Sequence, residues 1–109
     1  MCIRDRHTFP DLVVDAAHFG GWSVPEIGYD VLHDENVFID VSSSMAFLGN
    51  RRTRELVNLW GADRVMFGSD FPMWDPAHEY DTFTSLGFSD GDLEKMLWKN
   101  AERFTGVRV

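Results

Sequence analysis

The sequence predicts an α/β fold built on a parallel sheet, and three observations carry that prediction. Three short, mostly apolar runs recur, at residues 12–17, 37–41 and 64–68. Such runs suit parallel strands covered on both faces better than half-exposed ones, which alternate apolar and polar residues. Each run is followed by a short loop rich in glycine, serine or aspartate and then by a stretch of helical periodicity. This β-loop-α order, three times over with one terminal helix added, implies parallel strands joined by right-handed crossovers.

The elements follow in order. Phe9-Pro10-Asp11 is a turn into the first strand, and His18-Phe19-Gly20-Gly21 closes that strand. A helix over 24–33 places Val24, Ile27, Val31 and Leu32 on one face, with Pro25 in its first turn. Asn36 introduces the second strand, and Ser42-Ser43-Ser44 is the loop at its end. A helix over 51–60 carries Leu56, Leu59 and Trp60 as its apolar stripe and stops at Gly61. The third strand leaves through Ser69-Asp70-Phe71-Pro72. Asp75-Pro76 is an N-cap followed by proline at the first helical position, starting a helix to about Leu86. Ser89 caps the last helix, whose buried face is Leu93, Met96, Leu97, Ala101 and Phe104, and Gly106 ends it. Both a barrel and an open doubly wound sheet are compatible with this pattern, and periodicity does not separate them.

Composition narrows the function. With 109 residues the chain is one domain, and 44% apolar residues support a packed core. Eighteen acids against 10 bases give a formal charge of −8, which argues against a nucleic-acid partner. No apolar stretch approaches the ~20 residues that span a bilayer, so no membrane partner is expected. The single cysteine, Cys2, excludes an internal disulfide and a cysteine-based zinc cluster, and the expected compartment is the cytoplasm. Residues 1–6, Met-Cys-Ile-Arg-Asp-Arg, match the translation of a transposase adapter end used in DNA library preparation. We therefore expect them to be non-native and the native N-terminus to be missing, with residues 7–109 forming one domain portion. Without them the chain has 17 acids and 8 bases and is still strongly acidic.

In parallel α/β folds the chemistry sits at the carboxyl ends of the strands. That rule selects His18 to Gly21, Asp40 to Ser44, and Gly68-Ser69-Asp70. A histidine and an aspartate at adjacent strand ends are the ingredients of metal-assisted hydrolysis, in which a divalent cation lowers the pKa of bound water to ~7. Alternation places Asp70, Gly68 and Met66 on the inner face and Val65 and Phe67 on the helix face. The same rule applied to an inward His18 puts Asp15 on the helix side. Asp40 fits either an inward role or bonding to neighbouring backbone. His33, at a helix end, and His78, in the first turns of a helix, read as structural or solvated, and His7 carries no weight. The serines lack the G-x-S-x-G of a nucleophile elbow, and Gly20-Gly21 lacks the pattern of a phosphate loop.

Four segments, in order, resemble the amidohydrolase-related family of metal-dependent TIM-barrel hydrolases, which includes decarboxylases. Residues 9–21, ending His-Phe-Gly-Gly, resemble its sixth strand; 35–42 resemble the seventh; 62–72, Ala-Asp-Arg-Val-Met-Phe-Gly-Ser-Asp-Phe-Pro, resemble the eighth; and 100–106 resemble the closing helix. The resemblance implies the C-terminal part, about strands 6–8 with their helices, of a (β/α)8 TIM barrel. It implies that Asp70 binds one divalent metal, expected to be zinc, and deprotonates the attacking water. His18 would orient that water or polarise the scissile group, and Trp22, Phe71 and Trp74 would line the pocket mouth for a small-molecule substrate. Family members also carry a His-x-His pair on the first strand and usually another histidine on the fifth, and neither lies in this chain. A whole barrel needs roughly 250 residues.

The leading expectation is thus part of a hydrolase of C–N, C–O or lactone bonds whose parent is expected to be a homo-oligomer. The alternatives are a non-oxidative decarboxylase with the same site, and a small non-catalytic α/β binding domain. The chain alone is expected to be inactive and, with two bare sheet edges, prone to association.

Overall fold

The computed structural model describes residues 2–108. Met1, the first of the expected non-native residues, lies outside them. Residues 2–8 form a helix, α1 (Cys2–Thr8), which the sequence reading did not anticipate.

Three parallel strands make the sheet: β1 (Asp15–Ala16), β2 (Phe38–Asp40) and β3 (Val65–Met66), in the spatial order β1-β2-β3. Spatial order equal to chain order is that of a barrel wound in one direction. Register pairs Asp15 with Phe38, Ala16 with Ile39, Ile39 with Val65, and Asp40 with Met66. Ala16, Ile39 and Val65 therefore share one face, and all are buried. Against that face lie α2 (Pro25–Leu32), α4 (Asn50–Trp60) and α5 (Pro76–Thr84), whose Leu32, Leu56, Val57, Trp60 and Phe83 join the same core cluster. The opposite face presents Asp15, Phe38, Asp40 and Met66.

The strands are shorter than predicted; β1 keeps two residues of the expected six, and Leu12 and Val13 are exposed. The helices stand where predicted, but their faces are rotated. In α2 the buried residues are Pro25, Gly28 and Leu32, whereas Val24, Ile27 and Val31 are exposed. The cause is Gly28. A Cβ there would lie 2.5 Å from the Phe19 carbonyl oxygen, so only glycine lets the helix backbone press directly on the loop after β1. In α4 the buried set is Thr53, Leu56, Val57 and Trp60, spaced i, i+3, i+4, i+7, and Leu59 is 49% exposed.

Two further elements depart from the prediction. The Ser42–Ser44 loop runs into a short helix, α3 (Ser44–Leu48). The last helix is broken into α6 (Asp90–Glu94), a π-turn (Lys95–Lys99) and α7 (Asn100–Thr105). That break has a use. Met96 O accepts from Phe67 N at 2.8 Å, and Asn100 Nδ2 donates to Val65 O (2.7 Å) and Ala62 O (2.6 Å). Ile39 N and Val41 N bond Arg64 O and Met66 O on the β2 side, so Val65 O and Phe67 N face away from the sheet. The π-turn and Asn100 thus cap an edge that the sequence reading left bare.

Candidate functional site

The loops after the strands differ from the rest of the backbone. Among the described residues, the non-glycine positions with positive φ are His18, Phe19, Ser23, Ser43 and Asp70, and each lies in a loop following β1, β2 or β3. A non-glycine residue in this region carries strain, and such residues collect at functional sites. The turn to φ 56 at His18 also explains the one failed orientation. Strand alternation ends there, so His18 no longer dictates where Asp15 points. Asp15 shares the inner face with Asp40 rather than lying on the helix side.

Two adjacent serines then organise everything that faces the strand ends. His18 Nδ1 lies 2.9 Å from Ser42 O and 2.9 Å from Ser42 Oγ. A carbonyl oxygen only accepts, so Nδ1 carries the hydrogen and Nε2 is left as the nitrogen able to exchange a proton with a bound molecule. The Ser42 hydroxyl, accepting from His18, donates to Asp40 Oδ1. Asp40 Oδ1 also receives His18 N at 3.1 Å and Ser42 N at 3.0 Å. The second relay runs in parallel. Trp74 Nε1 donates to Ser43 Oγ at 2.9 Å, and Ser43 Oγ donates to Asp70 Oδ2 at 2.7 Å. Each serine therefore stands between a ring N–H and a carboxylate, and both are buried. Gly68 lies beside this relay, where a Cβ would meet the Ser42 and Asp40 side chains at ordinary contact distances of 3.5–3.7 Å.

The predicted site residues are only partly gathered. His18 and Asp70 each join one of the two relays. Trp22 packs edge-on against Phe47 (ring centroids 5.2 Å apart), and Phe47 packs edge-on against Trp74 (6.0 Å). This row borders a cleft lined by His18, Trp22, Ser42, Ser43 and Phe47, of about 10 Å³, space for a single water. Phe71, 73% exposed, takes no part in the row. Sequence reasoning missed Phe47, Ser42 and Ser43. The signal for the serines was their place at a strand end, which it weighed only as a nucleophile.

Of the other histidines, His33 is structural and His78 solvated, each as expected. His33 Nδ1 bonds Tyr29 O at 2.8 Å and its ring stacks on Tyr29, and His78 is exposed. Among the described residues no three of His, Cys, Asp and Glu converge to hold a metal ion. The chain's own side chains thus do not fit a metal centre by themselves, and Asp70 can be at most one of its ligands.

A parallel sheet in chain order with its polar groups at the carboxyl ends of the strands fits a segment of a TIM barrel. The chain belongs to the amidohydrolase family, whose model matches residues 7–107. Over 72 residues, 63% of its length, it is 33% identical to the gamma-resorcylate decarboxylase of Polaromonas sp. strain JS666, of which it spans 20%. Among solved structures, an uncharacterised TIM-barrel protein from Bordetella bronchiseptica matches 94% of the chain at TM-score 0.74 and 29% identity, over 37% of its own length. A dihydroxybenzoic acid decarboxylase from Polaromonas sp. JS666, solved with bound manganese and the inhibitor 2-nitroresorcinol, matches 95% of the chain at TM-score 0.70 and 21% identity, again over 37% of that protein. The chain spans well under half of each of these relatives.

Proposed function

We propose that the chain is the part of a metal-dependent, non-oxidative decarboxylase that supplies His18 and Asp70 to the active site, and that the substrate is a small hydroxylated aromatic acid. The observation that carries this reading is the 33% identity to a gamma-resorcylate decarboxylase over 72 residues. It favours the decarboxylase over the hydrolase that the sequence alone put first. The row Trp22–Phe47–Trp74 supports it, since edge-on aromatic surfaces suit a planar ring.

In this reading Asp70 is one ligand of a divalent cation, with the remaining ligands coming from outside these 109 residues. Zinc was the expectation from ligand chemistry, and manganese is the ion in the Polaromonas relative. Ser43 and Trp74 fix the Asp70 carboxylate by holding Oδ2. His18 is fixed by Ser42 with Nε2 free. Loss of CO2 leaves the carbon–carbon electron pair on the ring carbon, where a proton must take the place of the carboxyl group. In this reading His18 Nε2 holds the proton for that exchange.

The test is a chimera in which residues 7–107 replace the matching segment of the Polaromonas decarboxylase. A folded chimera that releases CO2 from 2,6-dihydroxybenzoate supports the proposal. One that folds and binds metal yet hydrolyses esters, lactones or amides instead restores the hydrolase reading. One that folds and does neither overturns both.

A further inference from the structure

The inner face of β1 holds a carboxyl that the proposed reaction does not use. Asp15 and Asp40 project from the same face of neighbouring strands, and their carboxyl groups lie within hydrogen-bonding reach of each other. Asp15 Oδ1 is buried and meets no donor among the described residues. Asp40 is the opposite case, because its Oδ1 alone accepts from His18 N, Ser42 N and Ser42 Oγ. Two oxygen-only groups placed together need a proton between them, since neither carboxylate can donate.

We infer that Asp15 and Asp40 share one proton, carried by Asp15, and that this carboxyl pair is the positioning device for His18. With the proton present, Asp15 donates to Asp40, and Asp40 Oδ1 keeps its three donors and so holds Ser42 against His18 Nδ1. With the proton gone, two carboxylates face each other across adjacent strands, and the hold on Ser42 and His18 loosens. The groups that face Asp15 are Asp40 from β2 and His18 from the turn after β1. Burial, then the Asp40 charge and the hydrogen bond to it, pushes the Asp15 carboxyl up to about 7, against a smaller opposing pull from His18. The switch therefore falls near neutral pH. Its catalytic meaning rests on His18 being the reacting histidine of the proposed decarboxylase, whereas the shared proton itself does not.

The experiment reads protonation directly, in the 109-residue chain. Infrared spectra follow the C=O band of a protonated carboxylic acid from about pH 4 to about pH 9, and ¹⁵N spectra of labelled histidine follow the His18 ring. The expected result is an acid component that persists to about pH 7, is missing from Asp15→Asn, and titrates at lower pH in Asp40→Asn, beside the separate contribution of Glu79, whose carboxyl burial also raises. The His18 Nδ1–H signature weakens as that band is lost in the wild-type chain. It stays constant in Asp15→Asn, where the amide N–H permanently replaces the proton. A purely structural role for Asp15 would leave that pH profile unmoved. An acid band that disappears wholly at the ordinary carboxylate pH, or one left unchanged by Asp15→Asn, overturns the shared proton. An imidazole signature indifferent to Asp15 overturns the positioning role. Neither readout is turnover, so failure of the chimera and failure of this inference are distinguishable.

Discussion

The two ends of the sheet are built on different principles. At the amino ends of the strands, side-chain donors close backbone acceptors. Arg64 donates to the carbonyls of Val37 (3.1 Å), His33 (2.6 Å) and Glu35, stapling the end of α2 to the start of β2. Asn100 does the same for Ala62 and Val65, and Arg103 for Asp63 (3.0 Å). At the carboxyl ends, side chains bond to side chains, and non-glycine residues occupy strained backbone conformations. The first arrangement spends polar groups on stability; the second holds polar groups in fixed directions while leaving one nitrogen of His18 uncommitted. A substitution at one end should therefore be read in the melting curve, and one at the other end in the rate.

The largest expected effects test that division at the carboxyl ends. In a working chimera, Asp70→Asn and His18→Gln each lower kcat by on the order of 10²–10⁴, the range lost when a positioned acid, base or metal ligand is removed. Melting temperature stays within a few degrees of the parent. If kcat and stability collapse together, these residues are structural, and the contrast between the two ends is lost.

Asn100→Ala is the counterpart at the other end. Asn100 is 1% exposed, and its removal leaves the buried carbonyl of Val65 without its donor and Ala62 without one of its bonds. The expected cost is roughly 2–4 kcal/mol, set by the penalty of unsatisfied buried groups. Urea denaturation followed by tryptophan fluorescence measures it, and activity per folded molecule should not change.

A smaller effect joins the two ends through pH. The folded state raises the Asp15 carboxyl from 3.8 to about 7. An acid whose pKa is raised by folding favours the native state fully at low pH, and that advantage is lost as pH climbs from about 4 to about 7. Asp15 is partly exposed, so solvent screening limits the change to about 1–2 kcal/mol. Asp15→Asn should remove this part of the slope, so the variant gains on the wild-type chain as pH rises to 8. Parallel stability curves for the two would mean that Asp15 titrates normally.

How much of this was legible in the sequence follows the reach of each rule. Alternation worked where the chain is a strand: Val65 packs on the helices, and Met66 and Gly68 lie on the Asp40 side. It failed at Asp15 because the backbone leaves the β region at His18, and no pattern announces that a histidine will take φ 56. The relays through Ser42 and Ser43 were hidden for another reason. Each links residues brought together only when neighbouring strands end side by side, a tertiary event with no local signature. The π-turn was hidden likewise, because the bond from Phe67 to Met96 that accompanies it comes from the residue just after β3.

Helix faces show the same limit most simply, and they carry the smallest prediction. Period 3.6 located α2 and α4 but did not choose between overlapping apolar stripes. The choice fell to contacts: Gly28 admits the loop after β1, and Thr53 joins Leu56, Val57 and Trp60 against the sheet. Ile27→Ala and Leu59→Ala, at the stripe the sequence favoured, should shift the stability of the chain by no more than about 0.5 kcal/mol, as exposed positions do. Leu56→Ala provides the scale, at about 2–5 kcal/mol for a fully buried leucine. If Leu59→Ala costs as much as Leu56→Ala, α4 is turned the way the periodicity first suggested, and the packing that holds β2 and its serines in place must be redrawn from that helix inward.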